Sequence, residues 1–303
     1  MSHPLRIAVI IPHLNQPQML ERCLASLWAG KRQPDEVLVV DNGSQIMPEA
    51  VCAAFAGVTL LQETTPGPGP ARNRGAAHAK ADVLAFIDSD CLADPRWLQE
   101  AEAVLADPTA LILGGDVQIA LKDSSRPGPI EAYEMIYGYR VADYIARDHF
   151  TVTCNLIMRR EVFESVGGFA GLAVAEDIDW GKRANAMGYQ IRFCSKVLVR
   201  HPARSDLAAL RVKWDRHMAH FRHEAAKSLK GRLRWIALIF AMALSPLAEV
   251  PRILISDRVF DLRSRLLAFV VLARIRIYRA RIMVWLAFGG DPARLAARWN
   301  RSA

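Results

Sequence analysis

Asp88-Ser89-Asp90 follows directly on the apolar run Val83-Leu84-Ala85-Phe86-Ile87. Two carboxylates one residue apart, carried into a turn by a buried strand, form a hard-oxygen site that suits a divalent cation bearing a diphosphate. Asp is also common in the turn after a strand, so the tripeptide taken alone reads first as a solvated turn. Three further stretches carry chemistry. Asp41-Asn42-Gly43-Ser44 follows the run Glu36–Val40, where a carboxylate can accept two hydroxyl or imide hydrogen bonds or merely cap a strand-to-helix turn. Pro66-Gly67-Pro68-Gly69-Pro70 is a stiff loop that leads into Ala71-Arg72-Asn73-Arg74-Gly75. Two arginines at a helix start suit an anion, or form a solvated basic end. Glu176-Asp177 opens a helical pattern that stops at Gly188, as helices often do; its acids are either helix-dipole partners or acid–base groups.

The elements that would position these residues alternate. Arg6–Ile11, Glu36–Val40, Val58–Leu61 and Val83–Ile87 read as strands, with helices over Pro17–Ala29 and Pro70–Lys80 between them. That order implies crossover connections and a mainly parallel α/β sheet with helices on both faces. Ala110–Ala120, Phe150–Met158 and Gln190–Arg200 are further strands, and helices are expected near Pro129–Ile145 and over Asp177–Met187. Open α/β sheets bind ligands at the carboxyl ends of their strands, where the chemical residues lie. A dinucleotide fold is disfavoured, because Pro12-His13-Leu14-Asn15-Gln16-Pro17 cannot serve as the Gly-x-Gly-x-x-Gly turn.

Six stretches in this order resemble family 2 glycosyltransferases of the GT-A fold: Ala8–Asn15, Val39–Ser44, Ala71–Gly75, Phe86–Asp90, Gly167–Phe169 and Glu176–Trp180. Each is loose singly, whereas the joint order is specific; the resemblance covers about Arg6 to His201. It implies a nucleotide pocket lined by Pro12, Asn15 and Asp41, with Asp41 near the base or ribose, and Arg72 as a donor contact. It also implies that Asp88 lies near the ribose and that Asp90 ligates Mn2+ or Mg2+ across the two phosphates, with Asp88 also in reach of the ion. His201 is a further metal ligand in some similar enzymes; otherwise it is a loop residue before Pro202. The resemblance places a general base at Asp177 and an orienting role at Glu176. Trp180, one turn on, either stacks on an acceptor sugar or packs. One base and no second nucleophile imply inversion at the anomeric carbon.

The chain has 303 residues, 52% of them apolar, and a net charge of +8. From Ala203 to Ala303 it carries 20 Lys+Arg against 7 Asp+Glu, leaving the first 202 residues at −5. The expected organisation is a catalytic domain over 1–203 and a basic, apolar helical region over 204–303. The same basic third holds the apolar runs Trp235–Leu244 and Leu266–Ala273, which favours an anionic membrane surface over nucleic acid, for which no binding motif is present. The uncharged core from Trp235 to Ala248 is 14 residues, against about 20 for a span. Interfacial or re-entrant insertion is therefore expected, with Pro246 kinking or ending the helix; a soluble helical subdomain is the alternative. On a wheel, Arg263, Arg274 and Arg281 oppose Arg265, Arg276 and Arg279. Either that helix breaks near Ala273, or one face meets lipid phosphate and the other meets acids of the catalytic domain. Lys213, Arg216, His217, His220, Arg222 and His223 form a basic surface suited to a polyprenyl-linked acceptor's phosphates, as in similar bacterial enzymes of envelope or exopolysaccharide assembly.

Cys23, Cys52, Cys91, Cys154 and Cys194 show no close pair and no zinc-like spacing, and the apolar run Ile7–Ile11 is too short for a signal-peptide core. A cytoplasmic protein at the cytoplasmic membrane face is expected. The leading expectation is transfer of a sugar from a nucleotide-diphosphate sugar to a glycan or lipid-linked hydroxyl. A catalytically silent nucleotide-sugar or membrane scaffold is the second reading, and a nucleotidyltransferase the third.

Overall fold

The computed structural model describes residues 5–291 apart from 124, 173 and 221–228; the side chains of 216–220 and 229–233 also lie outside the described set. In chain order the strands are β1 (Ile7–His13), β2 (Glu36–Asp41), β3 (Val58–Gln62), β4 (Val83–Ile87), β5 (Leu92–Ala93), β6 (Ile112–Ala120), β7 (Asn155–Arg159) and β8 (Ile191–Pro202). The helices are α1 (Pro17–Trp28), α2 (Glu49–Ala53), α3 (Pro68–His78), α4 (Trp97–Leu105), α5 (Pro129–Tyr137), α6 (Val141–Asp143), α7 (Arg160–Val166), α8 (Glu176–Ala186), α9 (Leu207–His220), α10 (Leu229–Ala248), α11 (Val250–Ile255) and α12 (Leu262–Ala287).

The strands form one mixed sheet in the order β3-β2-β1-β4-β7-β6-β8-β5. β1, β2, β3 and β4 run parallel, as their alternation with helices requires. β1 and β4 are buried along their whole length, so they read as continuous apolar runs rather than alternating ones. β7 enters antiparallel to both β4 and β6. It starts at Asn155 rather than Phe150; ahead of it Tyr144–Asp148 form one turn of π-helix and His149 takes a left-handed φ of 55°. The helix expected over Pro129–Ile145 likewise stops at Tyr137.

Helix α3 lies on β1 and β2 without a gap. A Cβ at Gly75 would fall 2.5 Å from Ile10 Cγ2 and 3.2 Å from Val40 Cγ2, so glycine sets that close approach. β6 and β8 pair in parallel with a bulge between Gly115 and Asp116, a device that bends a strand and re-aims its side chains. Asn155 bridges it, its amide donating to the carbonyls of Asp116 and Val197 at 2.8 Å each. Beyond the bulge β8 runs on to His201.

The chain divides into two compact units, Met1–Ala120 with Arg140–Pro202, and Leu121–Tyr139 with Ala203–Ala303. The second unit thus takes α5 from the middle of the sequence. Its core joins Ala132, Tyr133 and Ile136 of α5 to Leu210, Ile253 and Val271, and buried Glu134 accepts from the guanidinium of Arg204. α12 is one continuous helix, not broken near Ala273. Arg263, Arg274 and Arg281 are exposed. The opposite set meets partners within its own unit: Arg265 donates to the Val259 carbonyl at 3.2 Å, Arg276 approaches Glu249 at 3.7 Å, and Arg279 lies 4.1 Å over the Trp214 ring. Burial and neighbouring Arg276 push Arg279 down to about 10.

Pro246 does not end α10. The Met242 carbonyl, which loses its helical donor to the proline, accepts instead from Ser245 Oγ at 2.8 Å. Among the described residues one helical stretch, the 22 residues Arg234–Ile255, is long and apolar enough to cross a membrane by length and composition. Ile236, Phe240, Leu244 and Leu247 recur at helical spacing along α10 and are all exposed. Of the basic surface expected around α9, Arg222 and His223 and the side chains of Arg216, His217 and His220 lie outside the described residues.

Candidate functional site

β4 delivers Asp88 and Asp90 to the turn at its carboxyl end. Arg72, on the first turns of α3, reaches the same place, but it is not an exposed anion receptor. Its side chain is 3% exposed and bonds Asp88 Oδ1 at 2.5 Å and Glu176 Oε1 at 3.1 Å. Burial alone would favour the neutral form; the two carboxylates outweigh it and hold the guanidinium charged. Its two terminal nitrogens link the strand that carries Asp88 to the helix that opens at Glu176, while its Nε has no partner among the described residues.

Glu176, held by Arg72, precedes Asp177, whose Oδ1 accepts from the Ile178 amide at 2.8 Å. Burial, reinforced by the adjacent Glu176 charge, raises the Asp177 carboxyl above its ordinary value. A half-buried carboxylate tuned upward is suited to taking a proton near neutral pH. Trp180 is 1% exposed, its ring packed against Phe169 and its Nε1 donating to the Gly167 carbonyl at 2.9 Å. It is a core residue and presents no face to an acceptor sugar.

Asp90, Cys91 and His201 form a group whose ligand atoms all lie within 4.8 Å of one another. The register of β5 against β8 explains it: Leu92 pairs with Arg200 in antiparallel sense, which sets the preceding residues beside His201. His201 Nε2 lies 3.5 Å from Asp90 Oδ2, while its Nδ1–H donates to the Pro202 carbonyl at 2.7 Å. That bond fixes the ring and turns Nε2 toward the carboxylate, the arrangement metal-binding histidines use. Burial raises the Asp90 carboxyl, opposed by His201 and reinforced by Asp88. A cation beside it would reverse that shift.

At the ends of β1 and β2 the side chains turn inward. Asp41 is 0% exposed, with Oδ1 accepting from His13 Nδ1–H at 2.9 Å and Oδ2 accepting from the Gly43 and Ser44 amides at 3.2 and 3.0 Å. His13 Nε2 accepts from the Gln16 amide at 3.2 Å, which assigns the donor role toward Asp41 to Nδ1. Burial raises the Asp41 carboxyl, but its bonds to Ser44 and His13 prevail and lower it. Both of its oxygens are thus engaged within the protein. Pro12 is likewise buried. Asn15 is exposed at φ 53°, and it ties the two strand ends together, its Oδ1 accepting from the Gln45 amide at 2.9 Å and its amide donating to Ser44 Oγ at 2.8 Å.

Three positions escaped the sequence reading. His13 was visible only as part of a motif, yet it orders Asp41. Asn73 fastens the segment before α8, exchanging hydrogen bonds with the Phe169 amide and carbonyl at 2.8 Å each. Cys91 follows Asp90 directly, which was the available signal, but its contact with Cys154 depends on the pairing of β4 with β7 and has no sequence spacing to reveal it.

A family model, Glycosyl transferase family 2, matches residues 8–167, more than half of the chain. The chain belongs to this family. The family 2 chain is 30% identical over 206 residues to glycosyltransferase AglE of Haloferax volcanii, covering 65% of itself and 67% of that protein. It is 29% identical over 214 residues to the pre-mycofactocin glycosyltransferase of Mycobacterium tuberculosis, of which it spans 43%. Among solved structures, the mannosyltransferase PcManGT from Pyrobaculum calidifontis, in complex with GDP-Man and Mn2+, aligns at a TM-score of 0.58 and 20% identity, over 94% of this chain and 88% of that one. Glucosyl-3-phosphoglycerate synthase from M. tuberculosis, in complex with Mn2+ and UDP-glucose, aligns at 0.51 and 20% identity, over 71% and 77%. The family 2 chain has the GT-A fold, with an added C-terminal helical region.

Proposed function

We propose that this family 2 chain transfers a sugar from a nucleotide-diphosphate sugar to a hydroxyl of a glycan or lipid-linked acceptor, in one displacement that inverts the anomeric configuration. The observation that carries this reading is the buried Arg72 bridge, which places the turn of Asp88 and Asp90 against the acidic pair Glu176-Asp177. Diphosphate-binding and proton-accepting groups are thereby held in one network. The donor set of Asp90 and His201 fits Mn2+ or Mg2+, nitrogen ligation favouring Mn2+. Such an ion would supply charge to offset that building on the leaving diphosphate.

In the reaction, Asp177 takes the proton of the acceptor hydroxyl as that oxygen bonds to the anomeric carbon. The bond from that carbon to the diphosphate oxygen breaks, and the nucleoside diphosphate leaves with the electron pair. Glu176, fixed by Arg72, holds the start of α8 so that Asp177 faces the acceptor. Asp41 acts by shaping the loop at Asn15 and Ser44, which leaves Asn15 and the backbone of that loop to meet the nucleotide.

The second unit supports a site of action at the cytoplasmic face of a membrane. The exposed apolar stripe of α10 and the outward arginines of α12 together suit anionic lipid. The test is product stereochemistry by NMR with the cognate donor and acceptor. An inverted linkage is expected; a retained one overturns the single displacement, and release of pyrophosphate in place of nucleoside diphosphate makes the chain a nucleotidyltransferase.

A further inference from the structure

The thiol of Cys91 has no part in the reaction above, yet it sits where a ligand would. Its Sγ is 3.7 Å from Asp90 Oδ1, and Asp90 Oδ2 is 3.5 Å from His201 Nε2. All three ligand atoms fall within 4.8 Å of one another, a spread that one ion with bonds of roughly 2.0–2.3 Å can span after small side-chain adjustments. The backbone imposes the grouping: Asp90 and Cys91 are neighbours in sequence, and the antiparallel pairing of Leu92 with Arg200 sets Cys91 beside His201. His201 is oriented by its own bond to Pro202. Hard-cation sites of carboxylate, carbonyl and water have no use for sulfur; a carboxylate, an imidazole and a thiol together describe a softer ion.

We propose that Cys91 Sγ is a third protein ligand at the Asp90–His201 site, which makes it a mixed oxygen, nitrogen and sulfur centre for thiophilic divalent cations of the Zn2+ and Cd2+ class. The proposal rests on the reading of Asp90 and His201 as metal ligands. Binding moves the thiol proton to solvent and leaves the sulfur lone pair on the ion. A tetrahedral ion with three protein ligands keeps one open position, whereas bridging two phosphates takes two. Zn2+ is therefore a competitor of the productive ion, not a replacement for it.

The test uses the full-length protein and Cd2+ alone, with no sugar donor, so that its outcome is separate from any failure of sugar transfer. Wild type is expected to develop a thiolate-to-cadmium charge-transfer band in the ultraviolet that saturates at one ion per chain and is reversed by excess Mn2+. Cys91→Ser should abolish the band, His201→Ala should weaken Cd2+ binding at least tenfold, and Cys194→Ser should leave the band in place. A band that survives Cys91→Ser, one lost in Cys154→Ser but not in Cys91→Ser, or no band in wild type overturns the proposal. Should Cys91→Ser fail to fold, X-ray absorption of the Zn2+-loaded wild type decides: one sulfur in the first shell supports the assignment, and none refutes it.

Discussion

Replacing Arg72 with Met keeps the aliphatic stem and removes the charge that two carboxylates share. The guanidinium is 3% exposed, while Asp88 and Glu176 are 32% and 24% exposed. Removing one member of a buried ion pair costs about 3–5 kcal/mol. Both acids are partly wetted, so solvent screening places this case near the lower end, about 3 kcal/mol. At about 2–4 °C per kcal/mol for a unit of this size, that is a fall in Tm of roughly 6–12 °C. Arg72→Lys retains the charge but cannot fork to two acceptors, so it should recover much of the stability while leaving Glu176 unheld. Misplacing the Glu176-Asp177 segment by an ångström then lowers kcat by about 10²-fold. The assays are thermal unfolding by circular dichroism and initial-rate kinetics with donor varied. Unchanged Tm in Arg72→Met, with the loss confined to KM for the donor, would refute the bridging role and return Arg72 to direct donor contact.

Three further outcomes follow from the same geometry. Asp177→Asn should lower turnover by about 10²–10⁴-fold with the fold intact. Because burial and Glu176 raise the Asp177 carboxyl, and only its ionised form accepts a proton, kcat/KM in wild type should rise with pH along an acid limb lying above the ordinary carboxylate range, and that limb should vanish in the variant. Gly75→Ala sets a Cβ 2.5 Å from Ile10 Cγ2 and should destabilise by about 1–3 kcal/mol in denaturant titration; an unchanged midpoint would contradict the packing of α3 on β1. Leu244→Ser removes one exposed apolar anchor of α10 and should weaken cosedimentation with anionic vesicles by about 30-fold, equivalent to about 2 kcal/mol of lost burial; unaltered binding would remove α10 from the membrane contact.

The parallel half of the sheet was legible because its strands carry continuous apolar runs, such as Ile7–Ile11 and Val83–Ile87, with glycines and prolines where the chain turns. The acidic turn and the Glu176-Asp177 helix start were legible for the same reason, since strand ends and helix starts are local features. What the sequence could not convey was where long side chains spend their hydrogen bonds. Arg72 reads as an anion receptor and Asp41 as a nucleotide acceptor by type and place, but each is engaged by groups distant in the chain, Glu176 for one and His13 for the other. Trp180 shows the same limit, being one turn from Asp177 and yet directed into the core. Antiparallel entry of β7, and the return of α5 to the C-terminal unit, depend on non-local pairing that periodicity does not encode. Pro246 does not itself close α10, because Ser245 supplies the missing donor, and the helix stops two residues later at Ala248.

The central claim is that this site releases a nucleoside diphosphate from a nucleotide sugar with the help of an ion held at Asp90. The most direct measurement is nucleoside diphosphate release from a panel of nucleotide sugars, with Mn2+ or with chelator, for wild type and Asp90→Asn. Release is expected with at least one donor, abolished by chelator and reduced at least 10²-fold in Asp90→Asn at matched protein stability. Equal release with and without the ion, or full release by Asp90→Asn, would contradict it.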